Sequence, residues 1–350
     1  MDNRRVVRRL WKILYWVLPV VILWIVFSRI DLARLRSVAL NANPWWLAAA
    51  LLACPISCVF GAWRWQVLLL NYLGQRVPFG FALKHYYIGL AVGFFTPGSA
   101  GWDIYRVMVA GNRFGKYRLN LAAVLAEKFL ALLTAGLFVA LLFPWVKGEV
   151  AGGSPWLGGI LRLAHIGLLL CAAAFAVMLF LERHKAADML NRRIRAAMAS
   201  VLSRARQAPS GAEIAPMSLG DFFRPLVRVR SLAAVLLLSI GVQASSAVTS
   251  VLIFISIAYP VGLLVNLFVV PIFLFIFLLP ISFGSVGVRE GSHILLYGLF
   301  DVPREVALVA SFIGLLGLLL NQAIGAAVIW WCGGVAGTAA PPPEAGARKD

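Results

Sequence analysis

The sequence predicts an all-α polytopic membrane protein, with about six full spans and two re-entrant hairpins in a pseudo-inverted repeat. Three observations predict this. Of the 350 residues 61% are hydrophobic and 13% charged, whereas a soluble domain carries about 25% charged residues. The basic residues behind the net charge of +18 cluster in short loops between apolar runs, which is the positive-inside pattern. Finally, two of those runs are broken by the same Gly-Ser-x-Gly step, at 98–101 and 284–287. The charge distribution points to anionic lipid headgroups as partners and not to nucleic acid.

Taken in order, Arg4, Arg5, Arg8, Arg9 and Lys12 precede an apolar stretch at 10–27. No small-x-small cleavage pattern follows it, so it reads as a retained first span with a cytoplasmic N-terminus. The loop 28–44 leads to Trp45 and Trp46, an interfacial pair, and to a second span at 47–70. The run 79–95 is too short before Pro97 for a crossing of about 20 residues. Basic residues flank it on both sides (Arg76 before; Arg113, Lys116 and Arg118 after), so it reads as a hairpin dipping in from the cytoplasm. Spans at 119–143 and 160–181 follow, separated by the nearly neutral stretch 144–159.

The connection 182–230 is strongly basic and cytoplasmic. Its residues Leu190, Ile194, Met198, Val201 and Ala205 fall at helical spacing among arginines, the pattern of an amphipathic helix on an anionic leaflet. A fifth span at 231–258, a second broken segment at 261–300 and a last span at 307–331 complete a single transmembrane domain over 1–332. Residues 333–350, with three consecutive prolines, read as a disordered tail. Within 261–279 the run is long enough to cross fully, which would move the C-terminus outside. Span, hairpin and span thus occur twice in opposite senses, the sequence pointer to a transporter's binding site.

The chemistry-bearing residues gather at the breaks. Gly98, Ser99 and Gly101, and likewise Ser282, Gly284, Ser285 and Gly287, would let a phosphate approach backbone N–H groups at half-helix N-termini. Arg106 and Arg289 add forks that match phosphate oxygens. Asp103 and Glu290 would neutralise those arginines, meet a cationic headgroup or bind a proton; an Arg289–Asp103 ion pair locking the hairpins together is the structural alternative. Glu127 and Lys128 lie inside a span, where an unpaired charge costs at least about 2.5–3.5 kcal/mol, so each is expected to meet a hairpin. His85 and His293 sit near the hairpins and read first as packing residues. Cys54 and Cys58 share a helix face without His or acid at ligand spacing, so no metal or cofactor is expected.

At these residues the sequence resembles the stand-alone relatives of the transmembrane flippase domain of lysylphosphatidylglycerol synthases, over roughly 45–331. Pro97-Gly98-Ser99-Ala100-Gly101-Trp102-Asp103-Ile104-Tyr105-Arg106 is similar to Pro-Gly-x-x-Gly-Gly-Asp-x-x-Arg. Glu127-Lys128 stands for an acid-Arg pair. Pro280-Ile281-Ser282-Phe283-Gly284-Ser285-Val286-Gly287-Val288-Arg289-Glu290 follows Pro-Ile-Ser-x-x-Gly-x-Gly-x-Arg-Glu closely. Trp102, Lys128 and Ala131 depart from the pattern, where Gly, Arg and Gly are usual.

The resemblance implies lipid translocation in the bacterial cytoplasmic membrane, with aminoacyl-phospholipids, polyprenyl-linked sugars or hopanoid lipids as candidates. The soluble aminoacyl-transferase domain that members can carry has no counterpart after Trp331. Three functions stay open: a lipid flippase or transporter, an intramembrane lipid-modifying transferase, and an accessory subunit of lipid or envelope biosynthesis. The last would bind a lipid-synthesis enzyme or a second copy of the chain.

Overall fold

In a computed structural model of the protein, the residues described are 24, 28, 30–94, 96, 100–146, 148, 159, 166, 229–278 and 287–333. They form helices α1 (Leu32–Leu40), α2 (Pro44–Leu73), α3 (Phe79–Phe94), α4 (Ala100–Phe114), α5 (Tyr117–Val146), α6 (Val229–Ser256), α7 (Leu263–Leu278), α8 (Val288–Gly298) and α9 (Arg304–Trp331). Among the described residues four stretches are long and apolar enough to cross a membrane: Pro44–Leu73, Tyr117–Val146, Ser231–Ser256 and Arg304–Trp331. These correspond to four of the six expected spans. The spans at 10–27 and 160–181, the connection up to residue 228 and the tail beyond Gly333 lie outside the described residues, isolated positions apart.

Local signals set the helix ends. The side chain of Asn43 accepts hydrogen bonds from the N–H groups of Trp45 (3.0 Å) and Trp46 (3.4 Å), with Pro44 at the first position of α2. The missing N–H of proline costs nothing there. Helix α1 falls in a stretch the sequence reading leaves as a loop. Asp31 caps it through Ala33 N–H at 2.9 Å and Arg34 N–H at 3.2 Å, and Arg34 approaches Glu305 of α9 at 3.9 Å.

Helices α2 and α6 pack most extensively, and they run antiparallel. Asn43 N–H meets the Ser256 carbonyl at one end at 2.7 Å. Asn71 bonds Ser231 at the other end, and Phe60 lies against Gly241 between them. Around this axis the packing repeats. α3 packs on α9 as α7 does on α5; α4 packs on α5 as α8 does on α9; α5 packs on α6 as α9 does on α2. Exchanging α2–α5 with α6–α9 therefore maps the packing onto itself, and the antiparallel axis makes the repeat an inverted one.

The short helices pair within each unit. The chain enters α3 and leaves α4 at the end of α2 marked by Leu73. Gln66 Nε2 donates to the Val77 carbonyl (2.8 Å), and Lys116 Nζ to that of Leu73 (3.4 Å). It enters α7 and leaves α8 at the opposite end, where the Tyr259 hydroxyl donates to the Asp301 carbonyl at 3.2 Å. Each end has its own core. One gathers Trp65, Leu68, Tyr86, Tyr105, Val109 and Leu130; the other gathers Phe254, Val265, Phe268, Phe273, Tyr297 and Val306.

Leu52, Leu141, Leu237 and Leu316 stay exposed on the long helices, and Trp45, Trp145, Trp330 and Trp331 at their ends, as a lipid-facing wall with aromatic belts requires. Lipid removes the hydrophobic drive between helices, so close packing and interhelical hydrogen bonds, each about 0.6–2 kcal/mol, hold such a bundle together.

Candidate functional site

A chain of alternating charges runs through the middle of the first unit. Arg64 on α2 donates from one guanidinium nitrogen to Glu127 Oε1 (2.8 Å) and from the other to Ser239 Oγ on α6 (3.2 Å). Glu127, on α5, accepts at its second oxygen from Arg106 of α4 at 2.6 Å. Arg106 also donates to Asp103 Oδ1, one turn earlier, at 2.8 Å. Asp103 Oδ2 meets Lys128 Nζ, again at 2.8 Å. Four helices are thereby tied by five ionised side chains.

The chain holds three cations and two carboxylates and carries a surplus of one positive charge. Its inner members are sealed: Arg106 is 1% and Glu127 2% exposed. Its outer edge is open, with the Lys128 side chain 35% and that of Asp103 20% exposed. Burying charges is compensated only when geometry and extra hydrogen bonds are good, and here aromatic rings help. The Arg106 guanidinium lies 4.6 Å from the Trp102 ring centre, 5.2 Å from that of Trp65 and 5.5 Å from that of Tyr86. Trp102, one of the departures from the family pattern, seats on Gly89 and Gly93 of α3. An added Cβ at those glycines would come within 2.4 and 2.8 Å of it.

In the second unit Glu290 turns back on its own helix. Its Oε2 accepts the Gly287 N–H at 2.6 Å, holding the first turn of α8. Gly287 has φ +79°, a left-handed backbone that a side chain would strain. Arg289 is 9% exposed. Its guanidinium lies 5.7 Å from the Phe277 ring centre and has no carboxylate or hydrogen-bond partner among the described residues. His293 donates from Nδ1 to the Arg289 carbonyl (2.9 Å) and stacks on Phe273 at 4.3 Å.

Of the residues singled out in sequence, Asp103, Arg106, Glu127 and Lys128 come together as one cluster. Gly101 sits at the foot of that cluster, its N–H donating to Thr96 Oγ1 at 2.8 Å. Gly287, Arg289 and Glu290 form a second group at the start of α8. Gly98, Ser99, Ser282, Gly284 and Ser285 lie outside the described residues. One expectation is corrected. Asp103 pairs with Arg106 and Lys128 and not with Arg289, because its two oxygens are spent within its own unit. Glu290 gives one oxygen to the helix cap, and its charge lies close enough to Arg289 to offset it in part. His85, bonded to the Tyr105 hydroxyl at 2.8 Å, packs as expected. Arg64 was missed. The available signal was an arginine inside the span predicted at 47–70, where an ionisable residue requires a partner.

The model of the family described as lysylphosphatidylglycerol synthase TM region matches residues 10–332. The chain belongs to that family. The match covers nearly the whole chain, including both helix pairs and every member of the charge network. It accords with the four apolar helices of a multi-pass membrane protein and with a membrane lipid-related function. A search of curated proteins gives no match.

Proposed function

We propose that this lysylphosphatidylglycerol synthase TM region protein is a lipid flippase or transporter of the bacterial cytoplasmic membrane. It passes a phosphate-bearing amino- or glyco-headgroup between leaflets while the acyl tails stay in lipid. On this reading α3–α4 and α7–α8 are re-entrant hairpins. Neither α3 nor α7, at 16 residues and about 24 Å, spans the roughly 30 Å hydrocarbon core.

Arg76, Arg113, Lys116 and Arg118 border the end where α3–α4 enters, whereas Asp31, Asp301 and Glu305 offset Arg34, Arg36 and Arg304 at the other. The first end is accordingly cytoplasmic. With the spans at 10–27 and 160–181 the chain makes six crossings, and its N-terminus is cytoplasmic.

The observation that carries the proposal is the division of labour between the units. One holds a pre-paired network whose surplus charge surfaces at Lys128; the other holds a buried guanidinium, Arg289, with no direct ion pair among the described residues. A headgroup phosphate entering beside Lys128 competes with Asp103 for its ammonium and offsets the surplus. The same phosphate then finds in Arg289 a donor fork with no direct ion pair to displace among the described residues. Arg106 acts by positioning, since its guanidinium is committed to two carboxylates and to three rings. Each charge site lowers the cost, several kcal/mol, of taking an ionised group through hydrocarbon.

Vesicles reconstituted with the full chain test this. Labelled phospholipid is expected to exchange leaflets faster than in protein-free vesicles, with no new lipid product, and to slow when Arg289 is replaced. Product formation without exchange would establish a transferase instead. A folded Arg106→Ala, Arg289→Ala double variant that keeps its cellular phenotype would establish an accessory role.

A further inference from the structure

A cavity of about 200 Å³ lies between α2, α6, α7, α8 and α9, and Ser57, Ser246, Thr249, Ser250 and His293 are among the residues lining it. A polar space of that size holds several waters, each taking about 30 Å³ in the liquid.

The hydrogens of its wall can be followed bond by bond. Ser57 donates to the Cys54 carbonyl (3.0 Å) and Thr249 to that of Ser245 (2.9 Å). Asn266 spends its amide hydrogens on the carbonyls of Val261 and Gly262, so its oxygen accepts the Tyr297 hydroxyl at 2.8 Å. That commits the only proton of Tyr297, and Ser250 is therefore the donor in the 2.8 Å bond between their hydroxyls. Ser246 has no hydrogen-bond partner among the described residues and keeps its hydrogen.

A carbonyl oxygen can only accept. The Nδ1 of His293, 2.9 Å from the Arg289 carbonyl, thus carries the hydrogen of the neutral ring. Nε2 is then a bare lone pair without a partner among the described residues. Three hydroxyls with committed hydrogens and this nitrogen make a wall rich in acceptors and short of donors. A proton on Nε2 supplies one.

Among the described residues no other titratable side chain is so placed. Glu127 and Asp103 each hold two cations, and Glu290 holds the Gly287 N–H. Cys54, which also lines the cavity, gives its thiol hydrogen to the Ala50 carbonyl at 3.4 Å. From α6, α7 and α9 the described lining residues bring hydroxyl, amide and apolar groups and no charge. On α8 itself the Tyr297 ring is 5.9 Å from the imidazole, and Arg289 and Glu290 lie about one turn before it.

The ring is also coupled to Arg289. His293 stacks on Phe273 at 4.3 Å, Phe273 stacks on Phe277 at 5.5 Å, and the Arg289 guanidinium lies 5.7 Å from the Phe277 ring centre. While Arg289 stands alone, a second positive charge one turn away is repelled. An anion at Arg289 cancels that repulsion and attracts a proton instead. The linkage is reciprocal: the factor by which the anion strengthens proton binding is the factor by which the proton strengthens anion binding. Charge balances too, since a loaded unit gains one negative phosphate and one positive imidazolium and keeps the net charge of the empty one.

We infer that His293 is a proton-binding site, and that one proton enters from the cavity water with each anionic headgroup the protein carries. The Nε2 lone pair takes the proton from hydronium, leaving water, and returns it to water when the anion leaves. This rests on the lipid-translocation reading and adds a co-transported ion to it.

The test uses the full chain in vesicles with a pH difference imposed across the membrane and the electrical potential clamped at zero. The probe is labelled phosphatidylglycerol, an anion that stays ionised near neutrality. One-to-one coupling predicts its accumulation in the leaflet facing the alkaline side, by about tenfold per pH unit. Equal distribution with fast exchange overturns the inference and leaves transport standing. Absence of exchange in the native chain rejects transport and the inference together.

His293→Asn keeps a donor for the Arg289 carbonyl and loses the titrating nitrogen; His293→Gln is the second neutral variant. Each is expected to distribute the probe equally whatever the pH difference. Accumulation that persists in either variant puts the proton elsewhere and overturns the assignment. If both variants stall or misfold, the pH profile of the native exchange rate decides. A rate that falls toward alkaline pH keeps the assignment, and a flat profile overturns it.

Discussion

Replacing Glu127 by glutamine removes the one group that joins two arginines. Its oxygens stand 2.8 Å from Arg64 and 2.6 Å from Arg106, and its side chain is closed to solvent. The substitution keeps shape and volume, so the change is electrostatic: three cations remain against one carboxylate. Breaking a buried pair from one side costs about 3–5 kcal/mol, because the partner is left uncompensated, and two partners are left here.

Arg64→Met alone removes a cation and leaves Glu127 bonded to Arg106, for a predicted loss of about 1–2 kcal/mol. The double variant Arg64→Met, Glu127→Gln restores the native surplus of one positive charge and keeps the bonds among Arg106, Asp103 and Lys128. It should therefore be more stable than Glu127→Gln alone, with a coupling energy of about 2–3 kcal/mol, at the upper end for residues in one network. Unfolding in mixed micelles of rising SDS content, followed by tryptophan emission, suits this, since Trp65 and Trp102 lie on the Arg106 guanidinium. An additive cycle, or a Glu127→Gln variant within about 0.5 kcal/mol of the native chain, would refute the network as a structural unit.

The same unfolding assay should register Gly287→Ala at more than about 1 kcal/mol, because φ +79° is a conformation alanine resists. Helix α8 should be the element that loosens, visible as faster amide exchange in its first turn. Tyr297→Phe deprives Asn266 Oδ1 of its donor and is expected to cost about 1–3 kcal/mol, the penalty of an unsatisfied buried acceptor; Ser250, freed to turn, recovers part of its bond elsewhere. Cysteines placed at Asn71 and Ser231, in a chain with its native cysteines replaced, should oxidise to one intramolecular disulfide. A cross-link that forms only between chains, or not at all, would contradict the antiparallel pairing of α2 with α6.

Much of this was legible because a membrane leaves few options. Charge counts and apolar run lengths locate the four long helices, since a crossing needs about 20 apolar residues and the loops must carry the basic ones. The two Gly-Ser-x-Gly steps mark where such runs break, and the packing around α2 and α6 repeats about those marks. Asp103, Arg106, Glu127 and Lys128 were likewise visible as charges inside or beside apolar runs, where an ionisable side chain requires a partner.

What the sequence hid was partner choice. Asp103 and Arg289 look complementary on paper, but Asp103 is held one turn from Arg106 on the same helix, and local geometry decides. Glu290 reads in sequence as a charge beside Arg289, and only the fold shows one of its oxygens capping the N–H of Gly287. Arg64 passes for the basic end of a span, because flanking tryptophans make its neighbourhood resemble an interface.

The most direct measurement is the leaflet-exchange rate of labelled phosphatidylglycerol in vesicles holding equal amounts of native chain, Arg289→Lys and Arg289→Gln. A lysine keeps the charge but loses the fork, and a glutamine loses the charge. The account predicts native exchange well above protein-free vesicles, an intermediate rate with lysine and a rate near background with glutamine. Equal rates for the three chains, each folded to the same extent, would contradict it.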